Sequence, residues 1–222
     1  MKKMRKRIHD NYSFFFPYFI YLIIGALFLS ITKKGDILLL INEYHNPFFD
    51  IFFKYATMLG EGYYFAVIII IMGMFRFKYF LEGLILFLAT GAVAQILKHI
   101  VNDARPISYF ANSIHLNLVD GVSVYQWYSM PSGHSTSAFT IYLFFAMISK
   151  NEYVKFVYFL LALIVAISRV YLAQHFFADV YVGSLLGVIL TLFIHNYSES
   201  SIILNRTKWY NYQLINTKSN VL

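Results

Sequence analysis

The sequence predicts an all-α, polytopic membrane protein, a single domain over residues 1–222 with six transmembrane helices and its functional site at the extracytoplasmic end of the bundle. Three observations predict it. Hydrophobic residues make up 59% of the chain and charged residues only 13%, with a mean hydropathy of +0.59, an apolar share beyond that of soluble domains. Apolar runs close to the ~20 residues that cross a bilayer recur along the chain. The Lys and Arg residues sit at the ends of those runs, where topology rather than a soluble surface explains them.

Lys2, Lys3, Arg5, Lys6 and Arg7 make residues 1–13 a basic N-terminal segment, and the first apolar run follows at 14–31. A cleaved leader shares that pattern, but Lys33 and Lys34 stand where a small-residue cleavage site would be needed. Residues 35–61 mix Gly35, Asp36, Glu43, Pro47 and Asp50 with Phe48, Phe49, Ile51, Phe52 and Phe53, which predicts an amphipathic segment on the bilayer surface, covering the mouth of the site. The second span, 63–75, is short, so it is expected to borrow residues before Glu61 or to tilt. Arg76 and Lys78 form a basic turn, and the third span, 79–101, delivers Lys98 at its far end.

Residues 102–130 form the longest polar connection between spans. Spans four to six are expected at 132–148, 154–170 and 176–195, the last with a small-xxx-small pair, Gly183 and Gly187, suited to helix packing. Residues 196–222, with Arg206, Lys208 and Lys218, read as a polar tail. Six spans put both ends on one side, and that side then holds twelve Lys and Arg against six on the other. By the positive-inside rule the N-terminal segment and the tail are cytoplasmic. The net charge of +7 follows this topological logic and does not point to nucleic acid. With no cysteine, disulfide and thiolate chemistry are excluded.

The polar residues that an apolar chain should avoid collect at three places. They read Lys98-His99-Ile100-Val101-Asn102-Asp103-Ala104-Arg105-Pro106, then Pro131-Ser132-Gly133-His134, then Ser168-Arg169 with His175 and Asp179 behind it. A phosphoryl group needs fixed cations and N–H donors around its equatorial oxygens. Arg105 and Arg169 supply forked donors and Lys98 a point charge. Pro131 suits a first helical turn, which would leave N–H groups near Ser132 and Gly133 aimed at an anion, and Gly133 lets the backbone come close.

His175 and Asp179 are four apart, so on a helix they share a face, and the carboxylate accepts one ring N–H and leaves the other nitrogen to attack. That makes His175 the candidate nucleophile and His134 the candidate general acid. Carboxylates are not clustered as magnesium or calcium would require. No metal and no cofactor are expected. His99, Asp103, His45 and His115 read as solvated surface or supporting groups, and Tyr125, Trp127 and Tyr128 as headgroup-level anchors.

The pattern Lys-x6-Arg-Pro, Pro-Ser-Gly-His, Ser-Arg-x5-His-x3-Asp resembles the three-part signature of the type 2 phosphatidic acid phosphatase superfamily, which includes the vanadium haloperoxidases. Every signature position is filled, although Ile107 and Ser108 stand where members often carry further Arg or Pro. The resemblance implies a metal-independent lipid phosphatase working through a phosphohistidine on His175. Asp179 would orient it, His134 would be the acid, and Lys98, Arg105, Ser132, Gly133 and Arg169 would bind phosphate.

The expected partners are a phosphorylated envelope lipid and the bilayer, with no nucleic acid and no obligate protein partner. The compact layout resembles bacterial members, so lipid A and undecaprenyl diphosphate are favoured over phosphatidylglycerol phosphate and phosphatidic acid. The expected location is the bacterial inner membrane, with the site facing the periplasm. Two rivals use the same residues differently. A non-catalytic lipid-phosphate carrier has no need of the His175–Asp179 pair, and a transporter would place charges at mid-depth rather than at span ends.

Overall fold

A computed structural model describes residues 2–111 and 113–201, all helix, turn and loop, with no strand among them. The expected tail beyond residue 201 lies outside the described residues. The helices are α1 (Lys2–Asp10), α2 (Tyr12–Ile31), α3 (Asp36–Asn42), α4 (Pro47–Ala56), α5 (Gly62–Phe75), α6 (Phe77–Val101), α7 (Pro106–Tyr109), α8 (Gly133–Ile148), α9 (Glu152–Tyr171) and α10 (Phe177–Ser200), with a 3₁₀ turn at Thr57–Gly60. All six expected apolar segments are therefore helical.

By length and composition, only α2, α6, α9 and α10 among the described residues are fit to cross a membrane alone, and a fifth span arises if α5 is joined to the segment before it across a 53° bend. The reason is positional. Helix α8 is the centre of the bundle, packed chiefly against α10 and α9, with Phe139, Thr140, Leu143, Phe144 and Ala146 fully buried. At 16 residues and a rise of 1.5 Å per residue, it is about 24 Å long, short of the ~30 Å hydrocarbon layer. A helix surrounded by protein does not have to match lipid thickness. The outer helices do, and α2 accordingly turns Ile23, Leu27 and Ile31 outward.

Between helices in lipid, close packing replaces the hydrophobic effect as the driving force. Gly183 and Gly187 supply it here, as their spacing predicts. A Cβ on Gly183 would stand 2.7 Å from the Ser132 carbonyl oxygen, and one on Gly187 2.5 Å from that of Thr136. Both clashes are with backbone, so α10 rides directly on the start of α8. Gly187→Val should therefore lower the melting temperature in detergent by an amount matching about 1–3 kcal/mol of overpacking. An unchanged melting curve would contradict that contact.

The contacts sort into two ends. At one, Lys34 of the α2–α3 turn pairs with Asp103 at 2.6 Å, Lys54 donates to the Asp120 carbonyl oxygen at 2.6 Å, and Glu61 meets His134. At the other, Lys155 reaches the Asp10 carbonyl oxygen, Lys78 pairs with Glu199, and buried Glu82 bonds His195 and Ser198. All three sequence motifs lie at the first end. The segment 35–61, expected as an amphipathic stretch at the bilayer surface, folds into α3, α4 and the 3₁₀ turn, which pack against α9. Phe48 and Ile51 remain exposed on it.

Candidate active site

Loop 102–130 closes back on its own start, and that closure builds one wall of the site. The Arg105 N–H donates to the Gln126 carbonyl oxygen at 2.8 Å, and the Ser129 N–H to that of Asp103 at 3.0 Å. Residues 126–129 then hold the cations. Lys98 Nζ donates to the Tyr128 carbonyl oxygen at 2.6 Å. Arg105 Nε donates to the Trp127 carbonyl oxygen at 3.0 Å, and its Nη1 to the Gln174 carbonyl oxygen at 3.3 Å. Tyr125 lies under the Arg105 guanidinium, 5.2 Å to the ring centroid. Trp127 and Tyr128 are partly exposed, as headgroup anchors would be, but it is their carbonyls that touch the site.

Helix α9 ends in a tight turn that joins Arg169 to His175. Ala173 takes a left-handed φ of +51°, and the N–H groups of Gln174 and His175 both donate to the Arg169 carbonyl oxygen, at 3.0 and 3.1 Å. Arg169 Nη1 donates to Thr57 Oγ1 at 2.6 Å. Its Nε is buried without a partner, a donor that an anion at the site would satisfy.

The expectation that His175 and Asp179 share a helix face is corrected by the structure. His175 precedes α10, and Asp179 sits in its first turn, where its Oδ2 accepts the Phe176 N–H at 2.9 Å and the Ser129 hydroxyl. That same oxygen lies 3.4 Å from His175 Nδ1, an ion-pair approach without hydrogen-bond alignment, since Nδ1 has no directed partner. Both residues are buried. Catalytic bonds are often long before substrate arrives. Burial, then the charges of Arg105, Arg169, Lys98 and His134, hold the His175 pKa well below its usual 6.5, so the imidazole is neutral with a lone pair free. The Arg169 carbonyl oxygen accepts the His175 N–H, and Arg105 Nη1 reaches the carbonyl oxygen of Gln174 just before it, so both arginines stand against the turn that holds His175.

Pro131 is likewise not in a helical turn. Ser132 is the N-cap and α8 begins at Gly133. The Ser132 N–H is occupied, donating to the Asp179 carbonyl oxygen at 3.0 Å, while those of Gly133 and His134 lie in the first turn, where no preceding turn can accept them. A Cβ on Gly133 would meet nothing within 4 Å, so packing does not demand glycine there. The open space is what a close-approaching anion needs. Among the described residues, no group of three or more His, Cys, Asp or Glu is placed to hold a metal ion.

Sequence reasoning missed Thr57, Glu61 and Ser129, which touch the expected site residues from outside the motifs, and Gln174, an unassigned position inside the third. Of the two readings of His45, solvated surface or supporting group, the structure favours the second: the ring is nearly buried, 3.1 Å from Asp50 Oδ1 and stacked on Tyr171.

Against known proteins, residues 78–202 match the model of the PAP2 superfamily, over half of the chain and across all three motifs. The chain is 31% identical over 159 residues to phosphatidylglycerophosphatase B of Bacillus subtilis, covering 64% of this chain and 72% of the relative. It is 28% identical over 186 residues to a dihydrosphingosine 1-phosphate phosphatase of Schizosaccharomyces pombe, covering 78% of this chain but 44% of that one. The crystal structure of Aquifex aeolicus LpxE superposes with a TM-score of 0.66 at 28% identity, over 75% of this chain and 97% of the other. That of a transmembrane PAP2-type phosphatidylglycerolphosphate phosphatase from Bacillus subtilis shares the fold at 24% identity and a TM-score of 0.56, over 82% and 94%. The family match takes in all three motifs that this bundle gathers at one end, and the chain belongs to the PAP2 superfamily.

Proposed function

We propose that this chain is a metal-independent, integral-membrane lipid phosphatase that removes a phosphate from an envelope lipid through a phosphohistidine on His175. The observation that carries the reading is the gathering of Arg169 and Arg105 on the turn that holds buried His175, with Asp179 Oδ2 3.4 Å from its Nδ1, at one end of an apolar bundle. Arg105, Arg169 and Lys98 bind the phosphoryl oxygens with the N–H groups at the start of α8, Ser132 caps that helix, and Gly133 leaves room. His175 attacks phosphorus, Asp179 fixes its tautomer, and His134 protonates the departing oxygen. Water then hydrolyses the phosphohistidine.

The relatives' names place glycerophospholipid and sphingoid phosphates within the family's reach, which supports a shared phosphate cage under variable headgroup contacts. The compact layout favours lipid A or undecaprenyl diphosphate, and phosphatidylglycerol phosphate and phosphatidic acid complete the panel. Phosphate release by purified protein should be seen with at least one of the four, should survive EDTA and should be inhibited by vanadate. Loss of activity in EDTA, restored by magnesium, would overturn the metal-independent mechanism.

In the membrane, six crossings with a cytoplasmic N-terminus follow from the twelve basic residues against six, and the site then faces the periplasm of a bacterial inner membrane. A cysteine at exposed Ser113, on the loop at the site end, should be labelled on intact cells by an impermeant thiol reagent. One at Ser219, outside the described residues, should be spared. The reverse labelling would overturn the orientation.

A further inference from the structure

One carboxylate reaches the site from outside both the motifs and the family match of residues 78–202. Glu61 stands at the 53° break between the 3₁₀ turn and α5, and its Oε1 lies 2.9 Å from His134 Nε2. Nε2 is buried and makes no aligned hydrogen bond, so the contact is an ion-pair approach. With Nε2 turned to Glu61, Nδ1 is the ring nitrogen left for a departing oxygen.

The elbow that carries Glu61 is seated for this contact. A Cβ on Gly60 would stand 2.5 Å from Val165 Cγ1 and 3.0 Å from the His134 carbonyl oxygen, so only glycine lets the turn close on the start of α8. Thr57, at the other end of the same turn, receives the Arg169 guanidinium. One short elbow thus touches a phosphate-binding candidate with its first residue and the acid candidate with its last.

The groups facing His134 are Glu61 from the elbow, Arg169 from α9, Arg105 from the loop and His175 from the α9–α10 turn. Glu61 is the one anion among them. The contact with His134 is the main cause holding its own pKa below the usual carboxylate value, so it is ionised at neutral pH.

We propose that Glu61 is a positioning residue for His134, its carboxylate orienting the ring and sustaining the imidazolium that protonates the leaving group. The proposal rests on His134 being the acid. As His175 bonds to phosphorus and the bond from phosphorus to the lipid oxygen breaks, His134 passes its Nδ1 proton to that oxygen. When water attacks the phosphohistidine, Nδ1 takes a proton back from it and inorganic phosphate leaves. Glu61 stays ionised throughout.

The test compares wild type, Glu61→Gln, Glu61→Asp and His134→Ala on phosphatidic acid in detergent and on p-nitrophenyl phosphate, whose acidic phenol leaves without a proton. Glu61→Gln should lower kcat on phosphatidic acid about 10-fold or more, the effect of removing an opposite charge at this range. KM should be unchanged, the aryl rate near wild type, and part of the loss restored in Glu61→Asp. If His134→Ala is selective for the alkyl substrate but Glu61→Gln slows both substrates alike, or neither, the role of Glu61 is overturned and the acid assignment stands. If His134→Ala itself slows both equally, the acid assignment falls and the role of Glu61 falls with it.

Discussion

Replacing His175 by Ala is expected to abolish phosphate release from every substrate, alkyl or aryl, because the proposed covalent intermediate forms on its ring whatever the leaving group. The variant should still fold. His175 occupies a turn, its N–H bond to the Arg169 carbonyl oxygen is backbone, and its ring makes no aligned bond that Ala would leave broken. The pH dependence has a definite sign. A nucleophile whose pKa is held well below 6.5 stays deprotonated through mildly acidic solution, so the acid limb set by His175 should fall well below pH 6.5. Activity should be lost only as the pH drops through that lowered value. An acid limb due to this group at 6.5 or above would contradict the buried, cation-crowded environment.

The second large effect is expected at Asp179. Its Oδ2 accepts the Phe176 N–H and the Ser129 hydroxyl and faces His175 Nδ1. Because one oxygen makes all three contacts, Asp179→Asn can keep them through its carbonyl oxygen, but it removes the negative charge that holds the Nδ1 proton in place and supports the cation formed when His175 is phosphorylated. Removing an opposite charge at this range costs about 10- to 10³-fold, and a loss of that order in kcat is expected here with the melting temperature near wild type. A loss below 10-fold would mean that Asp179 serves α10 as a cap and does not control His175.

How much of this was legible in sequence depended on whether a residue acts through its own side chain at short range. Lys98, Arg105, Ser132, Gly133, His134, Arg169, His175 and Asp179 stood out because charge and imidazole are conspicuous in a chain only 13% charged, and the structure brings them to one end of the bundle. The local geometry was less legible. The four-residue spacing of His175 and Asp179 reads as one helical turn, yet the left-handed Ala173 ends α9 and puts His175 outside a helix. Ser132 likewise caps α8 from a position that the Pro131 rule assigns to its interior.

The supporting wall was not legible at all. Trp127 and Tyr128 contribute carbonyl oxygens, which every residue has, so their rings drew attention to the wrong atoms. Glu61 meets His134 only because Gly60 lets a distant elbow close on α8, and nothing in the local sequence marks that contact. Of the six expected spans, four or five pass on length and composition among the described residues. Apolar composition marks α8 as a span as well, but does not register that it is short and enclosed by other helices.

The central claim is that phosphate passes through His175, and the most direct measurement is to trap it there. Rapidly mixing the purified protein with a lipid phosphate labelled in the scissile group, quenching without acid and mapping the label by peptide mass spectrometry should place it on His175. The label should persist in His134→Ala with an aryl phosphate and be absent from His175→Ala. A label on another residue, or one surviving in His175→Ala, would contradict the account.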